Sequence, residues 1–104
     1  MIEQSKINKL QELISEFLSI DVGNKAKLSQ SEDQIDRLVL NLFQEIEKDA
    51  SSLADQDMDP LEKLMKAKEA AMVLAQIKNY VRAAKIIKAR EGNISTKSKK
   101  VFNS

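Results

Sequence analysis

The sequence predicts an all-α fold: a small antiparallel three-helix bundle with a long or kinked third helix. Three observations predict it. Two Gly and one Pro in 104 residues leave too few turn formers for a strand-rich chain. Three segments carry apolar residues at helical spacing. The sharpest start signal, Asp59-Pro60-Leu61-Glu62, opens a run to Glu91 that holds no second Pro and no Gly.

The first helix is expected from about Ser5 to Ile20. Ile7, Leu10, Ile14 and Phe17 recur at three and four residues, and Leu13 and Leu18 widen the stripe. Lys6, Lys9, Glu12 and Glu16 fall mostly off it. The stretch Asp21-Val22-Gly23-Asn24-Lys25 reads as the exit.

The second helix is expected to begin near Ser29 or Ser31. Ser29 is followed three residues later by Glu32, and Ser31 by Gln34, so either pair suits a reciprocal capping box. Ile35, Leu38, Val39, Leu42, Phe43, Ile46 and Ala50 then form a continuous apolar face. Asp36, Arg37, Glu45, Glu47, Lys48 and Asp49 occupy the rest. Residues 54–59, Ala-Asp-Gln-Asp-Met-Asp, read as a short polar connection.

The third helix starts at Pro60, whose missing N–H costs nothing at a first helical position, with Asp59 placed to cap and Glu62 favoured by the helix dipole. Gly92 is the expected stop. The apolar arc shifts along this helix: Leu61, Leu64, Met65, Ala71, Met72 and Ala75 form one arc, and Val73, Ile77, Tyr80, Ala84 and Ile87 another. Either the helix bends near residues 75–79, or its middle is enclosed while its ends meet different helices. The absence of a strong breaker in Gln76-Ile77-Lys78-Asn79 favours the second. Residues 1–92 thus form one helical domain, and 93–104, with Lys97, Lys99 and Lys100 among Ser, Thr and Asn, a flexible basic tail. No heptad register is sustained over three or four repeats, so a long dedicated coiled coil is not indicated.

Charge is distributed unevenly. Residues 32–59 hold nine acids against two bases, and residues 60–92 eight bases against three acids. An antiparallel hairpin of the second and third helices sets these opposite charges side by side. The formal net charge of the chain is only +1. Lys78, Arg82 and Lys85 follow an i, i+4, i+7 spacing along one ridge, with Lys88 near its edge. This ridge is the candidate anionic contact. Its plain reading is the wet face of a helix, with an acidic protein surface or a nucleic-acid backbone as the functional alternatives. Tyr80 lies across the helix from the ridge, badly placed to stack on a strand held there. A helix-turn-helix signal, an RNP-like aromatic pair and zinc-finger ligands are lacking.

The composition also bounds the chemistry. There is no Cys and no His, which removes the thiol nucleophile, the usual general base and the commonest metal ligands. Asp55, Asp57 and Asp59 alternate, but an EF-hand loop counted from Asp55 would place Pro60 where Gly is needed and Lys66 where Glu is needed. No phosphate-cradling Gly loop is present. Glu45 and Asp49 share a helix face that is otherwise polar, so exposure is the plain reading. An enzyme is not expected, and no cofactor or metal is implied. The shallow Ala83, Ala84 and Ala89 in the basic segment suit close helix packing better than insertion into a membrane surface.

The function expected is therefore that of a non-enzymatic protein-interaction module, such as a small adaptor, chaperone-like, immunity-type or regulatory protein. Its partner is another protein or a second copy, and its compartment cytoplasmic. Leu74, Ile77, Tyr80, Val81, Ala84 and Ile87 are the expected interaction residues. The alternative is a nucleic-acid-binding accessory protein using Lys78, Arg82, Lys85 and Lys88.

Overall fold

The computed structural model describes residues 4–103, and the side chains of residues 4–92. Three helices follow in order: α1 (Gln4–Ser19), α2 (Lys25–Leu53) and α3 (Pro60–Asn103). Among the described residues there is no strand, and the all-α three-helix fold with a long third helix is as the sequence predicts.

α1 buries Leu10, Leu13, Ile14 and Phe17, the stripe set by its apolar spacing. It closes in a compact turn. Ser19 Oγ donates to the Glu16 carbonyl at 2.7 Å, and Asn24 N–H to the Asp21 carbonyl at 2.9 Å. Asn24 then caps α2, its side-chain oxygen accepting from Lys27 N–H at 3.3 Å.

This cap corrects the expected start of the second helix. α2 begins at Lys25, and Ser29 and Ser31 lie inside it. The turn delivers a capping Asn directly to Lys25-Ala26-Lys27, all good helix formers, so the helix starts before either serine can. Ser31 is consequently buried rather than at a helix end.

α2 is the central element. It packs on both α1 and α3, whose direct contact with each other is smaller. Its inner face contributes Ile35, Leu42 and Ile46 to the core, where they meet the α1 stripe and Ile77, Val81 and Ala84 of α3. The directions follow from the cross-links. Lys6 of α1 pairs with Glu45 near the C-terminal end of α2, and Lys88 of α3 reaches Leu18 at the end of α1. α1 therefore runs against α2 and alongside α3.

The connection after Leu53 is short and polar. Lys63 Nζ donates to the Ala54 carbonyl at 3.2 Å, covering the end of α2, while Lys63 N–H donates to the Asp59 carbonyl at 3.0 Å to open α3. α3 then continues without interruption through residues 75–79, where a bend was the alternative, and through Gly92, the expected stop. Gly92 does not adopt the left-handed conformation that a glycine stop uses. The expected flexible tail, residues 93–104, falls outside the residues whose side chains are described.

The helices differ greatly in length: 16, 29 and 44 residues. At ~1.5 Å per residue α1 is about 24 Å long and α3 about 66 Å. The core therefore sits where α1 covers the α2–α3 hairpin, and most of α3 has a helix on one side only.

Candidate interaction surface

α3 is apolar on two opposite faces. Its inner row steps through Ala70, Val73, Ile77, Val81, Ala84 and Lys88 at three- and four-residue intervals. Ile77, Val81 and Ala84 are buried in the core, and Val73 and Leu74 pack against it. The outer row holds Leu61, Leu64, Met65, Met72 and Ile86, exposed by 63%, 66%, 59%, 54% and 44%. At about 100° per residue these five lie some 120° or more around the helix from Ile77. Neither α1 nor α2 can reach them.

This arrangement resolves the two arcs seen in the sequence. The arc of Leu61, Leu64, Met65 and Met72 was expected to meet another helix; it faces solvent. The arc through Val73, Ile77 and Ala84 is the one that α1 and α2 enclose. Of the six expected interaction residues, Ile77, Val81 and Ala84 are committed to the chain's own core and Leu74 is half-buried against it. Tyr80 and Ile87 are exposed, on a flank between the two rows. Ile86 belonged to neither arc, and its exposure beside Ile87 is visible only once the helix is placed.

The basic ridge is largely engaged within the molecule. Lys85 Nζ lies 3.0 Å from Asp36 Oδ1 and 3.4 Å from Glu32 Oε1. The hydrogen bond from Lys85 to Asp36, with the charges of Asp36 and Glu32, raises the Lys85 pKa above the ordinary lysine value, against the opposing effect of partial burial. Lys78 Nζ sits 5.5 Å from the centre of the Phe43 ring, within cation–π range. Lys88 is buried at 5% exposure and donates to the Leu18 carbonyl at 3.0 Å and to Glu91 Oε2 at 3.3 Å. It therefore caps the end of α1 instead of facing solvent. Lys78 and Arg82 are both exposed. Of the four, Lys85 meets the acidic side chains of α2, Lys78 an aromatic ring of α2, and Lys88 the end of α1.

A cleft of about 480 Å³ opens between the start of α1, the end of α2 and the first half of α3. Its floor is Ile7, Ile46, Leu53, Ala70 and Val73, and Asp49, Lys66 and Glu69 stand on its rim. It exists because α1 is too short to follow the hairpin to its closed end. Among the described residues no group of three or more Asp or Glu is placed to hold a metal ion, and no helix is long and apolar enough to cross a membrane.

Comparison with protein-family models, with curated proteins and with solved structures gives no match to this chain.

Proposed function

We propose that the chain is a non-enzymatic protein-interaction module whose contact surface is the outer face of α3. One observation carries this reading: large apolar side chains, Leu61, Leu64, Met65 and Met72 with Ile86 further along, lie exposed on a helix whose opposite face already fills the core. A soluble helix that needed one apolar face would carry polar residues on the other. Aligned exposed Leu, Met and Ile side chains are what a helix-binding surface presents, and methionine adapts to varied partner shapes.

The engagement of the basic ridge supports this reading over nucleic-acid binding. A phosphate ligand would have to displace Asp36 and Glu32 from Lys85, and Lys88 has no path to it. The test is site-specific photo-cross-linking in the cells that make the protein. A photoreactive residue at Met65 or Met72 is expected to trap a discrete protein species, which Leu61→Glu abolishes. The control is Arg37, exposed on α2. Equal trapping from Arg37, or none from the α3 positions, would remove the outer face as the contact surface.

A further inference from the structure

We infer that the occupant of the outer face of α3 is the outer face of α3 from a second copy, laid antiparallel to the first. This rests on the reading of that face as a protein-contact surface.

The outer row has a spacing that a straight partner helix can follow. Leu61, Met65, Lys68, Met72, Ala75, Asn79, Arg82 and Ile86 alternate at four and three residues, a seam of the coiled-coil kind interrupted by polar positions. Those interruptions make the seam unsuited to an arbitrary apolar groove, and they choose the direction of a self-pairing. A parallel pair sets Lys68 against Lys68 and Arg82 against Arg82. An antiparallel pair centred between Met72 and Ala75 sets unlike residues together. Leu61 then faces the partner's Ile86, and Met72 the partner's Ala75. Lys68 faces the partner's Asn79.

The charges beside the seam agree with the same register. Glu62 lies about five residues, roughly 7.5 Å along the axis, from the level of the partner's Arg90, and the two-fold axis repeats that relation at the other end. Among the described residues, neither Glu62 nor Arg90 has an ion-pair partner within the chain. Asp57 and Asp59, at the closed end of the hairpin, lie near the same Arg90 end of the second copy. The pairing thus joins the acidic end of each α3 to the basic end of the other.

Area and access are sufficient. Leu61, Met65, Met72 and Ile86 of the seam, with Leu64 beside it, each offering on the order of 100 Å², give roughly 1,000 Å² over two copies, which reaches the lower range for a specific interface. α1 and α2 lie on the opposite side of α3, so the two bundles stand clear on either side of the α3–α3 seam.

The absence of cysteine makes the test clean, because one introduced cysteine carries one spin label. Ala71→Cys and Ala89→Cys are each labelled and measured by pulsed dipolar spectroscopy, with sedimentation over a dilution series. Both positions are exposed on the edge of the seam. The antiparallel register places the two labels at 71 near the two-fold axis and close together, and the two at 89 about 45 Å apart along the helix. Met72→Glu, at an exposed position, is expected to abolish both distances while helicity by circular dichroism is kept. Equal short distances at both positions would overturn the antiparallel arrangement. A monomer without dipolar coupling would overturn self-pairing altogether. If photo-cross-linking from Met72 then still trapped a different protein, the contact-surface reading would survive that loss; if it trapped nothing, both would fall.

Discussion

Lys85 of α3 and Asp36 of α2 meet at 3.0 Å, with Glu32 one turn earlier completing a three-residue charge cluster. The pair joins the basic and acidic segments where the hairpin is also held by core contacts. Lys85 remains 38% exposed, so the cluster is screened and contributes on the scale of surface pairs. Its main effect is to fix which faces of α2 and α3 lie together.

That geometry predicts a pH dependence. The Lys85 pKa is raised in the folded protein, chiefly by its hydrogen bond to Asp36. The folded state therefore holds this proton more tightly than the unfolded chain. The resulting stability is complete below the unfolded value, about 10.4, and is lost as pH rises through the higher folded value. Thermal unfolding of the native protein and of Lys85→Met should differ by a constant small margin, about 1 kcal/mol or less, from near-neutral pH to about pH 10. Above that the margin closes. A margin that widened with alkali would contradict the assignment.

Lys88 should behave differently, because it is buried. Its ammonium donates to the Leu18 carbonyl, and Glu91 shares it. Lys88→Met keeps the aliphatic stem in the inner row but deletes the donor. The expected cost is about 1–3 kcal/mol, from an α1 carbonyl left without its charged partner. Amide exchange separates this from a general loss of packing. Protection should fall first at the end of α1, around Phe17 to Ile20, before the centre of α2. Uniform loss across all three helices would mean that the stem, not the donor, is the important part.

The contrast between these two lysines marks where the sequence stops being legible. Both belong to a pattern that reads as one basic ridge, and the opposite charges of the second and third helices foretell the Lys85 pairing. Lys88 occupies a core-row position that periodicity assigns to an apolar residue, so its burial cannot be read from residue type. Ile35, Leu42 and Ile46 were legible because α2 has one apolar face. α3 has two, and their opposition erases the amphipathic contrast that would say which meets the bundle. Periodicity groups Tyr80 and Ile87 with Val73, Ile77 and Ala84, yet Tyr80 and Ile87 lie exposed. The sequence does not locate the start of α2, because Asn24, Ser29 and Ser31 are all competent caps, and only the turn geometry at Asp21 selects the first.

Ser31 gives a prediction of the opposite sign to the usual one. It is 7% exposed, and among the described residues its Oγ has no hydrogen-bond partner. A hydroxyl buried without a partner carries a desolvation cost that a methyl group does not. Alanine also has the better helix propensity, by a few tenths of a kcal/mol. Ser31→Ala should therefore leave stability unchanged or raise it by up to about 1 kcal/mol, measured by chemical denaturation. A loss beyond about 1 kcal/mol would show that the hydroxyl is bonded in solution, to water or to the helix backbone.

Leu40 and Leu42 test how far α2 is one-sided. They are two residues apart, so about 200° of helix rotation separates them. Leu42 is 0% exposed and Leu40 58%. Leu42→Ala removes contacts with both α1 and α3 at the middle of the core and should cost about 2–5 kcal/mol, with the spread set by how far the cavity collapses. Such a cost is a large share of what a domain of this size has available, so the variant should unfold at a clearly lower temperature than the native protein. Leu40→Ala should stay within about 0.5 kcal/mol of the native protein. The comparison also bears on α3. If its outer row pairs as inferred, Leu64→Ala should resemble Leu40→Ala in dilute monomer and become destabilising only as concentration rises, because its partner atoms belong to another molecule. A concentration-independent cost at Leu64 would instead place that side chain in contacts within its own chain.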